Sequence, residues 1–184
     1  MVFEASNETS FAHAAPSAQT VLCREIDMAD HTKNVFISHV HEDDAKLGEL
    51  KGLLSRNGMT VRDSSINSSN PNNATNHDYI KTGILAPQIN WASTFIVYVS
   101  PNTMHSQWVN WEIEYAAKQG KRIVGVWERG AHSCELPSAL QEYADAMVGW
   151  HGNSIVEAII GERDGWENPD GGSCAAVPLK RHPC

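Results

Sequence analysis

Apolar residues in the middle of the chain recur with two different periods, and the periods alternate. Val35-Phe36-Ile37-Ser38 is a short run of β-formers. After it, Leu47, Leu50, Leu53 and Leu54 fall at helical spacing within 43–57, and Asn57-Gly58 stops the pattern. Residues 59–62 (MTVR) predict a second strand, and 64–77 a long polar loop rich in Asn and Ser. Tyr79, Ile80, Ile84 and Leu85 predict a helix over 79–89, strained near its end by Pro87. The run TFIVYV at 94–99 reads as a buried strand. An amphipathic helix over 106–119 follows, with Ser106 as its cap and Gly120 as its stop. RIVGVW at 122–127 is a further buried strand, and a helix, a strand and a helix are predicted at 136–143, 146–150 and 155–160.

Five strands alternating with helices predict an α/β fold: one flavodoxin-like three-layer domain, its five-stranded parallel sheet covered by helices on both faces. Uninterrupted apolar runs such as TFIVYV suit parallel strands buried on both sides. Residues 1–32, rich in Ala, Ser, Thr and Asn, are expected to be a disordered extension. Residues 33–161 form the domain, and 162–184, rich in Gly, Pro and charge, a flexible tail. Ligands in such sheets bind beyond the carboxyl ends of the strands. Chemistry is therefore expected after Ser38, Arg62, Val99 and Trp127.

Composition narrows the function classes. A net charge of −8 and the lack of any Lys/Arg run argue against nucleic-acid binding. The apolar stretches are too short for a membrane span. The first thirty residues lack a basic leader, and Glu4, Glu8 and His13 interrupt them, so no export signal is expected. The four cysteines, Cys23, Cys134, Cys174 and Cys184, form no C-x-x-C pair. A reduced, cytoplasmic protein is the resulting expectation.

His39-x-His41-x-Asp43-Asp44 is one residue from the His-x-His-x-Asp-His string of zinc hydrolases. The final His is replaced, the motif follows the first strand, and no downstream histidine falls in a ligand pattern. The preferred reading is a helix start, in which Glu42, Asp43 and Asp44 complement the helix dipole and can cap its free N–H groups; no metal is expected. A phospho-receiver site lacks its acceptor, because the third strand ends Val99-Ser100-Pro101. Neither a Gly-x-Gly-x-x-Gly turn nor a P-loop is present.

In the helix over 106–119, Trp108 and Glu112 are four apart and share a face. Val109, Ile113 and Ala116 form the adjacent stripe toward the sheet. Glu114 points elsewhere, so only one of the two glutamates can look into a cleft beside Trp108. By position alone, a helix-surface glutamate is more often a solvated charge.

Trp108-x-x-x-Glu112, after a strand ending Tyr98-Val99-Ser100, resembles the signature of TIR domains. Val35-Phe36-Ile37-Ser38-His39 resembles their first strand, VRDSSINSSNPNN the second strand and its loop, and GKRIVGVW and LPSALQEYADAMVGW the later elements. The resemblance covers 33–161 and is nearest to the TIR-like proteins of Thoeris-type antiphage defence. Val109 departs from the Cys common after the tryptophan, at a packing position.

The resemblance implies an enzyme that cleaves NAD at the nicotinamide–ribose bond, with Glu112 as the catalytic carboxylate. It also implies substrate contacts from Ser38, His39, Arg62, Asp63 and Trp108. NAD enters as substrate, and no permanently bound cofactor is implied. A single carboxylate suits this reaction, because cationic nicotinamide leaves neutral and needs no proton, unlike the alkoxide of an ordinary glycoside. Phe36, Trp91 and Trp108 are candidate surfaces for the leaving ring. The implied product is a cyclic or conjugated ADP-ribose-derived signal read by a separate effector protein, with self-association through the 64–77 loop. The alternatives are a non-catalytic TIR adaptor and a zinc hydrolase using His39 and His41. The Trp108/Glu112 pair favours the enzyme, since an adaptor has no need of that carboxylate.

Overall fold

The computed structural model describes residues 31–67, 74–132 and 135–173. Residues 1–30 of the expected extension, residues 68–73 of the polar loop, residues 174–184 of the expected tail and all four cysteines lie outside them. The chain runs β1 (His31–Ser38), a 3₁₀ segment (His41–Lys46), α1 (Leu47–Arg56), β2 (Met59–Asp63) and α2 (His77–Tyr79). A π-helical segment (Ile80–Leu85) and α3 (Ala86–Trp91) follow, then β3 (Thr94–Val99), α4 (Gln107–Lys118) and β4 (Arg122–Trp127). The order ends with α5 (Ser138–Tyr143), β5 (Ala146–Val148), α6 (Gly152–Ile160) and β6 (Gly165–Trp166).

The strands form one sheet in the order β2-β1-β3-β4-β5-β6, with every pairing parallel. The flavodoxin-like architecture holds. β3 is buried along its whole length, because its alternate residues feed two different cores. Phe95, Val97 and Val99 join Phe36 and residues of α3, α4 and α5 on one face. Ile96 and Tyr98 join Val35, Ile37 and residues of α1 and α6 on the other. Two covered faces are why the apolar run has no polar alternation. Gly58 makes the α1–β2 turn at φ 77°, a conformation that disfavours a side chain.

The sheet has six strands rather than the expected five. β6 lies in the stretch expected to be a tail, and its two residues carry no readable strand pattern. Tertiary contacts create it. Gly165 and Trp166 pair with Ala146 and Met147 of β5, and the Trp127 indole N–H donates to the Glu167 carbonyl at 2.9 Å. Arg163 joins Glu157 to Glu167, at 2.6 and 2.8 Å. The helix expected over 79–89 is a composite. Its register widens to π at Ile80–Leu85 and returns to α at Ala86. Pro87, which has no N–H, takes the second position of the new segment, where the register changes.

Candidate functional site

α4 is held at its start by Ser106, whose hydroxyl accepts from the Val109 N–H at 3.2 Å. Val109, Ile113 and Ala116 then lock the helix on the sheet, all fully buried. That rotation turns Glu112 inward and leaves Glu114 exposed. Glu112 is 8% exposed and meets Ser38 at the carboxyl end of β1. The Ser38 hydroxyl donates to Glu112 Oε2 at 2.6 Å, across 74 residues of chain. Burial pushes the Glu112 carboxyl up to about 7, and the Ser38 hydrogen bond partly opposes the shift.

The pair opens into a cavity of about 320 Å³. Its walls are Phe36, Ile37, Ser38 and His39 from β1 and its end, Ser65, Ile66 and Ala74 around the polar loop, Ile80 and Leu85 from the π segment, and Trp108 and Glu112 from α4. This volume is near the lower end for small-molecule sites, roughly 300–1,000 Å³. The His39 ring donates from Nδ1 to the Ile37 carbonyl at 2.9 Å, which fixes its orientation. Trp108 is braced from outside. The His77 ring tilts against it at 5.2 Å, and Lys81 Nζ lies 5.6 Å from its centroid. Phe36 stacks on Phe95 at 5.4 Å.

Five of the residues singled out from the sequence, Phe36, Ser38, His39, Trp108 and Glu112, thus come together. Arg62 and Asp63 do not line the cavity. Arg62 is exposed on the edge strand β2. Asp63 is turned into the fold, where its carboxylate accepts from the Ile37 N–H at 3.3 Å and from the Ser65 N–H at 2.9 Å. It also pairs with Lys51 at 2.7 Å. Asp63 therefore fixes two stretches of cavity wall without touching the space. Trp91, 47% exposed at the end of α3, is also absent from the walls. Ser65, Ile66, Ala74, Ile80 and Leu85 were not singled out. A polar loop and a π register give no periodic signal that points to them.

The acidic cluster after β1 starts a helical turn, as expected, with Glu42, Asp43 and Asp44 in its first turn. It does not cap that turn, and the N-cap residue Val40 makes no side-chain cap bond. Asp43 is buried and instead accepts from the Ser100 hydroxyl and pairs with Lys46 at 3.2 Å. Lys46 bridges on to Glu128 at 2.6 Å, and these contacts hold its ammonium well above its ordinary pKa. His41 is exposed, and among the described residues no three His, Cys, Asp or Glu side chains converge as metal ligands.

The TIR-like domain of the Thoeris protein ThsB, as a family model, matches residues 36–133. The chain belongs to this family. The matched stretch of the ThsB TIR-like domain contains every residue of the cavity wall. No curated protein matches the chain. Solved structures do. The Clostridium botulinum CMP N-glycosidase BcmB is 23% identical, with 52% of this chain and 71% of that one covered and a TM-score of 0.36. A 2-deoxyribosyltransferase from Bacillus psychrosaccharolyticus is 13% identical over 66% and 89%, with a TM-score of 0.48. The TIR domains of the activated Roq1 resistosome are 21% identical over 52% and 57%, with a TM-score of 0.37. Among the described residues no helix is long and apolar enough to cross a membrane.

Proposed function

We propose that this ThsB-type TIR-like domain cleaves NAD between nicotinamide and ribose, with Glu112 as the catalytic carboxylate. The observation that carries this reading is the buried Glu112 carboxylate, held by Ser38 in the cavity walled by Trp108. When the C1′–N bond breaks, its electron pair goes to the pyridinium nitrogen, and nicotinamide departs neutral. No general acid is required, unlike at an ordinary glycoside. The ribose is left with oxocarbenium character, and a fixed, buried carboxylate stabilises that charge.

A carboxyl that titrates near 7 suits a cationic substrate. The arriving pyridinium favours the ionised form, so the charge is completed when substrate binds. The Trp108 ring offers a flat surface for the leaving nicotinamide, and Ser38 and His39 border the same space. The cavity takes the reacting half of a dinucleotide. The ADP-ribosyl group then passes to an internal atom or an external acceptor, giving a signalling nucleotide for a separate effector in antiphage defence. The test is to incubate the concentrated protein with NAD and to resolve the products by chromatography and mass spectrometry. Nicotinamide release that vanishes in Glu112→Gln, with the fold retained, is expected. Turnover that survives this substitution would overturn the assignment.

A further inference from the structure

A second groove lies on the opposite face of the sheet, where α1 and α6 pack. It measures about 460 Å³, and none of its residues lines the cavity at Glu112. Its walls include Gly48, Glu49, Gly52 and Arg56 of α1, Arg129 just beyond β4, and Trp150 just beyond β5. Gly48 and Gly52 are one turn apart on one face of α1. A Cβ placed on Gly48 meets nothing within 4 Å, and one placed on Gly52 meets only the Arg56 guanidinium, at 3.4 Å. Bare helix backbone therefore forms part of the wall, and one guanidinium lies along it. Trp150 is half-buried and fixed edge-on by Tyr98 at 6.2 Å.

The charge balance of this groove differs from that of the whole chain. The protein carries −8, yet here two arginines face one glutamate. Glu128, beside Arg129 in sequence, is held by Lys46 at 2.6 Å. Glu49 reaches Arg129 only at 4.0 Å, with both side chains largely exposed. Such a pair is weak and readily exchanged for a better anion. Two guanidiniums suit a phosphate through charge-assisted, forked hydrogen bonds. A fixed indole beside a smooth backbone wall suits a planar ring. The place, beyond the carboxyl ends of parallel strands, is where such sheets bind ligands.

We propose that this groove is a second ligand site, one that binds a mononucleotide with its phosphate on Arg56 and Arg129 and its base against Trp150. The site stands apart from the reaction proposed at Glu112 and does not depend on it. Titration calorimetry of the full chain with AMP, ribose 5-phosphate and inorganic phosphate tests it. AMP is expected to bind more tightly than the other two, because only AMP carries a ring for the indole. Arg129→Ala should weaken AMP by at least about tenfold, the usual scale for a lost charged hydrogen bond. Gly48→Leu fills the groove from a position with free space and should abolish binding, with the fold verified by circular dichroism. AMP held in the other cavity would persist in both variants, and that outcome overturns the proposal. So does AMP binding no tighter than phosphate, or no AMP binding at all.

Discussion

Ser38 and Glu112 make the stability of the protein depend on pH. An unfolded glutamate titrates near 4.5, whereas Glu112 titrates near 7 in the fold. Between these values the folded chain holds a proton that the unfolded chain has released. Stability therefore falls as pH rises from about 4.5 to 7 and is level above that. The burial penalty behind this slope is about 3 kcal/mol at full ionisation. Glu112→Gln keeps an acceptor for the Ser38 hydroxyl and removes the titration. Its denaturation midpoint should lose that slope and exceed the wild-type midpoint at pH 8, by roughly 1–3 kcal/mol in stability. A less stable Glu112→Gln at pH 8 would show that the carboxylate is not strained by burial. Under the proposed NAD reaction, kcat/KM for nicotinamide release should rise with pH to a plateau above about 7, since the ionised carboxylate is the working form. Ser38→Ala removes the one hydrogen bond that opposes the shift, so the rise should move to higher pH. A profile unmoved by Ser38→Ala would separate the two residues functionally.

At the scale of elements, α4 and the π segment shape the cavity from two sides. Glu112 is less than two turns from the α4 cap, so the first turn must be firm for Trp108 and Glu112 to keep their places. Ser106→Ala should cost about 1 kcal/mol, read as a lower melting temperature, and, under the proposed NAD reaction, should raise KM for NAD more than it changes kcat. An unchanged melting temperature would mean that the Ser106–Val109 bond adds nothing to the helix. α4 was legible in the sequence because several local signals agree: a serine cap, an apolar stripe at Val109, Ile113 and Ala116, and a terminating glycine. The π segment was not. Ile80 and Leu85 are five apart and line one cavity only because the turn closes from i to i+5. In an α-helix they would point apart, so the periodicity that located the helix concealed which of its residues face the site. Asp63 lies outside the cavity wall for a related reason. The resemblance implies a substrate contact at this strand end, while the partners of Asp63, Ile37, Ser65 and Lys51, are set by tertiary packing.

Across the whole molecule, the family match ends at residue 133, before α5, β5, α6 and β6. The central strands were legible because burial on both faces leaves continuous apolar runs. β6 was not, because two residues carry no period, and its stability comes from what it touches. Trp166 is 9% exposed and belongs to the core that includes Val109 and Ile113 of α4. The Glu167 carbonyl takes the Trp127 indole N–H, and its carboxylate accepts from the Gly149 N–H at 3.0 Å. Arg122 reaches the Arg163 carbonyl at 2.8 Å and Asp164 at 2.7 Å. Truncation after Gly161 removes all of these contacts. The buried indole dominates the loss, which should be about 3–5 kcal/mol, the scale of deleting a large core aromatic. The partly exposed ion pairs of Arg163 add little. β5 would also become an unpaired edge, a surface that invites pairing with another chain. The truncated protein should therefore show a lower urea midpoint and concentration-dependent association by light scattering. An unchanged midpoint and a monodisperse sample would mean that β6 is a passive attachment. Under the proposed NAD reaction, and because Trp166 packs in the same core as α4, a truncated chain that stays folded should still lose affinity for NAD, through loosening of the helix that carries Trp108 and Glu112.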